Sequence, residues 1–167
     1  MPTLMLTATL AGPARATTQA ASVPLAEPLV TVTAGVGNAM GWFGVQAERY
    51  LVHGRLSAFG GLGYTPSIDA YDPEGVTFAA GVRGYTGGLK HRAFAEASAC
   101  QVGTVSDPDR PRRFYGPCGQ LGYQFASRGG FTFLASLGVG YAIGARTYQN
   151  RTLGLVGLGL GYTWRDR

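Results

Sequence analysis

From Leu29 onward, apolar residues alternate with small or polar ones at period two in eight segments: 29–37, 42–52, 55–65, 76–86, 92–105, 117–127, 131–144 and 152–164. The seventh is the most regular. Phe131, Phe133, Ala135, Leu137, Val139, Tyr141 and Ile143 share one face, while Thr132, Ser136, Gly138, Gly140 and Gly144 share the other, with Leu134 the exception. The eighth sets Val156, Leu158, Leu160, Tyr162 and Trp164 against Gly157, Gly159, Gly161 and Thr163. Successive side chains of a strand point to opposite faces, so this period predicts strands with one apolar and one small or polar face. Connections alternate in length: about 4, 10, 11 and 7 residues for the odd gaps, and about 2, 5 and 3 for the even ones. His53-Gly54, Gly87-Gly88 and Arg128-Gly129-Gly130 place glycine where a tight hairpin calls for positive φ. Short turns at one end and long loops at the other predict an all-β, antiparallel up-and-down barrel of eight strands.

Composition decides what surrounds such a barrel. Charged residues make up only 14% of the chain, against about 25% in an ordinary soluble domain. Glycine accounts for 27 of 167 residues, well above the usual share of roughly 7%. The 46% hydrophobic content excludes a disordered chain. No run approaches the ~18 consecutive apolar residues of a membrane helix. A water-soluble barrel of the lipocalin type would bury its apolar face and show charges on the other. Here the non-apolar face is mostly Gly, Ser, Thr and Gln, which suits a narrow interior and not a solvated surface. Only Glu48, Arg83 and Glu96 bring charge to it in mid-strand, while Arg49 falls on the apolar face near a strand end. The expected fold is therefore a transmembrane β-barrel with lipid outside and an interior just wide enough for side chains to fill.

Aromatic placement agrees with this. Phe43, Tyr64, Phe78 and Tyr141 fall near the long-loop ends of their strands, and Tyr123, Phe125, Phe131, Phe133, Tyr162 and Trp164 near the short-turn ends. Two such belts with Ala, Val and Leu between them match the two interfaces of a membrane. With its closing strand LGLVGLGLGYTW, the region 29–167 resembles the small eight-stranded outer-membrane barrels of Gram-negative-type bacteria, a group that includes OmpA-like and OmpW-like barrels. The resemblance implies a place in the bacterial outer membrane, contact with outer-membrane lipid, and recognition of the last strand by the barrel-assembly machinery through Trp164. Arg165, Asp166 and Arg167 follow that aromatic, where strands of the group typically end on it. Ahead of the barrel, residues 1–28 read as a signal peptide and leader: Met1 to Leu10 is short and apolar, Ala14-Arg15-Ala16 fits a small-x-small cleavage site, and Thr17 to Pro28 is polar.

The net charge of +5 does not point to nucleic acid, because Arg110, Arg112 and Arg113 lie beside Asp107 and Asp109 and the other basic residues fall mostly singly. His53 and His91 fall in short turns without converging ligands, so neither a metal nor a cofactor is expected. Some small outer-membrane barrels modify lipid with histidine and serine near the outer rim. Ser136 lies mid-strand with no histidine on the outer side, so no catalytic residue is expected.

The remaining chemistry is interior. The turn centred between residues 89 and 90 makes Arg83 and Glu96 cross-strand neighbours, with Glu48 and Gln124 at a similar height. These four predict a polar cluster across the lumen in which Arg83 is the only cation, with Gln46, Tyr50, Phe59, Tyr85, Phe94 and Gln120 adding bulk. The two cysteines, Cys100 and Cys118, flank a loop centred on residue 109, which would place them opposite each other on the inward face. An exported chain meets an oxidising compartment, so a disulfide is expected. The leading functional expectation is a plugged barrel with a structural or interaction role, its long loops meeting an extracellular protein or surface ligand. The alternative is a small-molecule transporter or pore, and an enzyme acting on lipid is a more distant one.

Overall fold

In the computed structural model, eight antiparallel strands close into one barrel: β1 (Pro28–Gly37), β2 (Gly41–Val52), β3 (Leu56–Thr65), β4 (Gly75–Gly87), β5 (His91–Val105), β6 (Arg112–Ala126), β7 (Phe131–Tyr141) and β8 (Thr152–Arg165). The residues described are 26–37, 40–66, 74–105, 112–144 and 152–166. Of the signal peptide and leader expected over residues 1–28, residues 1–25 lie outside them, as do the loop residues Asp107 and Asp109, while Pro28 already belongs to β1. Every strand pairs with its sequence neighbour, and β1 closes on β8 through the register Val30–Trp164 to Gly37–Gly157. Closure leaves the sheet no free edge.

The short turns follow from local backbone chemistry. In the β2–β3 turn, Arg55 N donates to Val52 O at 2.7 Å, and the two central residues, His53 and Gly54, have φ of 40° and 66°. Positive φ at both positions matches the right-handed twist of the flanking strands. Two boundaries differ from the periodicity by more than one residue. β7 ends at Tyr141 and not at residue 144, and β6 starts at Arg112 and not at 117. Pro117 fits inside β6 because Tyr115 O accepts from Ile143 N, so by alternation residue 117 also turns its backbone nitrogen toward β7. That position lies just past the last β6–β7 pair, Cys118–Gly140, where no ladder donor is required.

The alternation sorts the side chains as its period predicts. Leu121, Leu137 and Val156 form a cross-strand row on the outer wall and are 64%, 68% and 64% exposed. Most inward side chains are buried, Leu134 among them, and Ser98 and Ser136 are half-buried. At the long-loop end the interior is apolar, with Met40, Phe59, Ala79, Val102, Ala142 and Leu155 packed around Cys100 and Cys118. Toward the short turns it becomes polar and aromatic. Close packing explains one inward glycine: Gly122 faces Phe94 across β5–β6, and a Cβ at residue 122 would collide with the Phe94 ring.

Candidate functional site

Among the described residues, the lumen holds a dense polar network. Arg83, on β4, is 1% exposed and opposes Glu96 of β5 directly in register. Its Nε donates to Glu96 Oε2 at 2.8 Å, its Nη1 to Glu48 Oε2 of β2 at 3.1 Å, and its Nη2 to Gln46 Oε1 at 3.1 Å. One guanidinium thus ties β4 to β5 and, across the lumen, to β2. Both carboxylates are further satisfied. Ser57 Oγ and Tyr85 Oη donate to Glu48 Oε1, while Ser98 Oγ and Gln120 Nε2 donate to Glu96 Oε1 at 2.8 and 3.1 Å. Ser136 Oγ of β7 then donates to Gln120 Oε1 at 2.9 Å. The network crosses from β2 to β7 with every charge paired, which a charge inside a narrow barrel requires.

A second cation lies nearer the short turns. Arg92 is 2% exposed and donates to Gly54 O at 3.1 Å, to Tyr50 Oη at 2.7 Å, and to Gln124 Oε1. Among the described residues no carboxylate bonds to it. Arg83 is therefore not the only interior cation, and Gln124 does not join the Arg83 cluster. The β5–β6 register is the reason: it sets Gln124 opposite Arg92, and Gln120 opposite Glu96. Below Arg92, Thr31, Thr132 and Thr163 link through their hydroxyls, with Thr163 Oγ1 2.7 Å from Thr31 and 2.6 Å from Thr132.

Each of these two arginines lies against two aromatic rings. The Arg83 guanidinium carbon lies 4.2 Å from the Phe59 centroid and 4.9 Å from that of Phe94; for Arg92 the distances are 4.7 Å to Tyr50 and 4.3 Å to Tyr85. Tyr85 and Phe94 meet at 5.6 Å, so the contacts run without a break from Phe59 through both cations to Tyr50. The Tyr50 and Tyr85 centroids are 5.7 Å apart, so these rings meet Arg92 from adjacent sides, and its hydrogen bonds hold it against them.

Cys100 and Cys118 form a disulfide with a Cα–Cα distance of 6.2 Å. They are diagonal neighbours and not directly opposed, since Cys100 faces Gly116 and Cys118 faces Ser98. A bulge between Gln101 and Gly103 adds a residue to β5 and shifts the register below it. Above the bridge, a cavity of about 520 Å³ opens between the ends of β1, β2, β3 and β5, lined by Trp42, Thr65, Gln101 and Val102 among others. Val102 also belongs to the apolar layer beneath, so that layer floors the cavity.

On the outer wall Phe43, Tyr64, Phe78, Tyr141, Tyr123, Phe131, Tyr162 and Trp164 are exposed, and Phe125 and Phe133 are half-buried against one another's strands. Two more aromatics belong with those near the long loops. Trp42 is exposed because a bulge at Gly41–Phe43 turns adjacent residues outward, and Tyr115 stacks on Phe78 at 4.7 Å because β6 extends into the expected loop. His53 Nδ1 lies 3.6 Å from Glu27 Oε1, and His91 Nδ1 hydrogen-bonds Tyr123 Oη.

No family model and no curated protein matches the chain. Among solved structures, it is similar to the crystal structure of the N-terminal β-barrel domain of Pseudomonas aeruginosa OprF, with a TM-score of 0.58 and 16% sequence identity, covering 83% of this chain and 99% of that one. At that identity the likeness establishes the architecture: this chain folds as a closed eight-stranded barrel of the kind found in that domain.

Proposed function

We propose that the protein is a bacterial outer-membrane β-barrel whose lumen is closed by side chains, and that it acts through its long loops as a structural or interaction component. The single observation that carries the closed lumen is Arg83, which reaches Glu96, Glu48 and Gln46 while lying against Phe59 and Phe94. The outer wall supports the membrane placement. Leu121, Leu137 and Val156 form an apolar row with no protein to cover it, a surface that soluble monomers avoid. Aromatics cluster toward both ends of that wall, as at the interfaces of a bilayer. On this reading Trp164 presents the last strand to the assembly machinery, and the long loops meet an extracellular protein or surface ligand. The reading includes no catalytic role and no cofactor.

The test of placement is fractionation together with gel mobility. The protein is expected in the outer-membrane fraction, and its unheated form is expected to run faster in detergent than the heat-denatured chain. Recovery as a soluble monomer without detergent would contradict the placement. Transport is the second reading, favoured by the cavity at the long-loop end. Vesicles loaded with a small sugar separate the two, because swelling in the protein's presence requires an open path. Release of acyl chains from lipopolysaccharide by the purified protein would instead support the enzyme reading.

A further inference from the structure

Among the described residues, most of the surplus positive charge gathers at the short-turn rim. In the lumen, Arg83 and Arg92 balance Glu48 and Glu96. At the short-turn end the described residues include five cations, Arg49, Arg55, Lys90, Arg128 and Arg165, against two carboxylates, Glu27 and Asp166. Arg165 is partly internal, donating to Ala26 O at 2.9 Å and, less closely, to Leu89 O and Ala126 O. The other four cations are exposed. The three short turns carry one each, Arg55, Lys90 and Arg128. Arg49 projects from the outer wall, in register between Val30 and Ala58, three residues before β2 ends. Among the described residues none of these four lies within salt-bridge distance of a carboxylate; Glu27 faces His53 instead.

Aromatic rings lie at the same height. The Lys90 ammonium is 5.6 Å from the Phe125 centroid, His91 packs on Phe125 at 5.2 Å and bonds Tyr123, and Tyr162 meets Trp164 edge-on at 4.9 Å. A cation on an apolar wall is tolerated where its long stem lets the head reach the polar boundary. A guanidinium there offers a planar fork that matches a phosphate.

We propose that this rim binds the phosphate headgroups of anionic phospholipids in the adjoining leaflet, with Arg49 reaching from the wall and Arg55, Lys90 and Arg128 from the turns. The inference rests on the membrane placement proposed above. Arg49 decides the class of ligand: a soluble acidic protein could meet the turns, but a side chain on the outer wall faces lipid.

The test compares wild type with R49Q/R55Q/K90Q/R128Q in vesicles of phosphatidylcholine alone and of three parts phosphatidylcholine to one part phosphatidylglycerol. Urea unfolding is followed by the fluorescence of Trp42 and Trp164. Phosphatidylglycerol is expected to move the wild-type midpoint upward, less so in high salt, and the neutralised variant is expected to lose more than half of that shift. The charge-keeping variant R49K/R55K/R128K and the opposite-end variant R112Q are expected to retain it. If the fourfold variant does not fold, R49Q alone is expected to lose part of the shift. Equal wild-type midpoints in the two lipids, the outcome also required by a rim that serves a soluble acidic protein, would overturn the proposal. So would a full shift in the neutralised variant or, where that variant does not fold, in R49Q. Failure of the wild type to form its fast-migrating species even in phosphatidylcholine would remove the membrane placement itself, a result distinct from loss of lipid selectivity.

Discussion

The Arg92 guanidinium lies 4.3 Å from the centroid of the Tyr85 ring, and the Tyr85 hydroxyl donates to Glu48. One tyrosine therefore joins the two charged groups of the lumen. Its face holds a cation that no described carboxylate bonds to, and its edge satisfies a carboxylate already bound to the other arginine. Truncating Arg92 to Ala is expected to destabilise the barrel by about 2–3 kcal/mol, since charged hydrogen bonds to Gly54 O, Tyr50 and Gln124 are lost. Arg92→Met, which keeps an apolar stem against the rings of Tyr50 and Tyr85, is expected to lose less. Urea unfolding in vesicles measures both, and equal losses would mean that the rings contribute nothing.

Arg83→Ala is expected to cost more, about 3–5 kcal/mol, because it strands Glu48 and Glu96 in the lumen without a cation. Arg49→Ala, on the outer wall, is expected to stay within about 1 kcal/mol of wild type in neutral lipid. Combining Arg83→Ala with Glu48→Gln and Glu96→Gln should recover part of the loss. If the triple variant is no more stable than Arg83→Ala, stranded charge is not the cause.

The outer wall makes the opposite demand. Leu137→Arg and Leu158→Arg introduce a cation on the exposed apolar face and are each expected to cost about 2–4 kcal/mol in a bilayer. Arginine at Phe131, nearer the short-turn end, should cost less. Equal costs along the wall would argue against a lipid surround.

Reduction should release the Cys100–Cys118 bridge, raising the intact mass by about 2 Da and lowering stability by about 3 kcal/mol in the chain-entropy account. An unchanged mass after reduction would mean that the two thiols are free in the purified protein.

Strand parity was legible because period two is a local property, and it placed Glu48, Arg83 and Glu96 in the lumen from sequence alone. Arg92 opens the fifth segment and shares the parity of Phe94 and Glu96, so its inward direction is legible, although the sequence reading names Arg83 as the only interior cation. The partners of Gln120 and Gln124 were not legible, because they depend on the register across β5–β6, and a two-residue error there sets Glu96 opposite Gly122, midway between them. Bulges hid the rest. The bulge at Gly41–Phe43 turns Trp42 outward beside Phe43, and the one at Gln101–Gly103 supplies one of the two register steps that separate the diagonal disulfide from a direct pair. An extra residue in one strand leaves the hydrophobic pattern almost unchanged while it moves everything beyond it.

Current through a planar bilayer tests the closed lumen most directly. Wild-type protein inserted at neutral pH is expected to carry no steady ionic current if, as proposed, the Arg83 network and the rings about it close the lumen. A stable single-channel conductance from wild type would contradict the closed lumen and leave transport as the better reading.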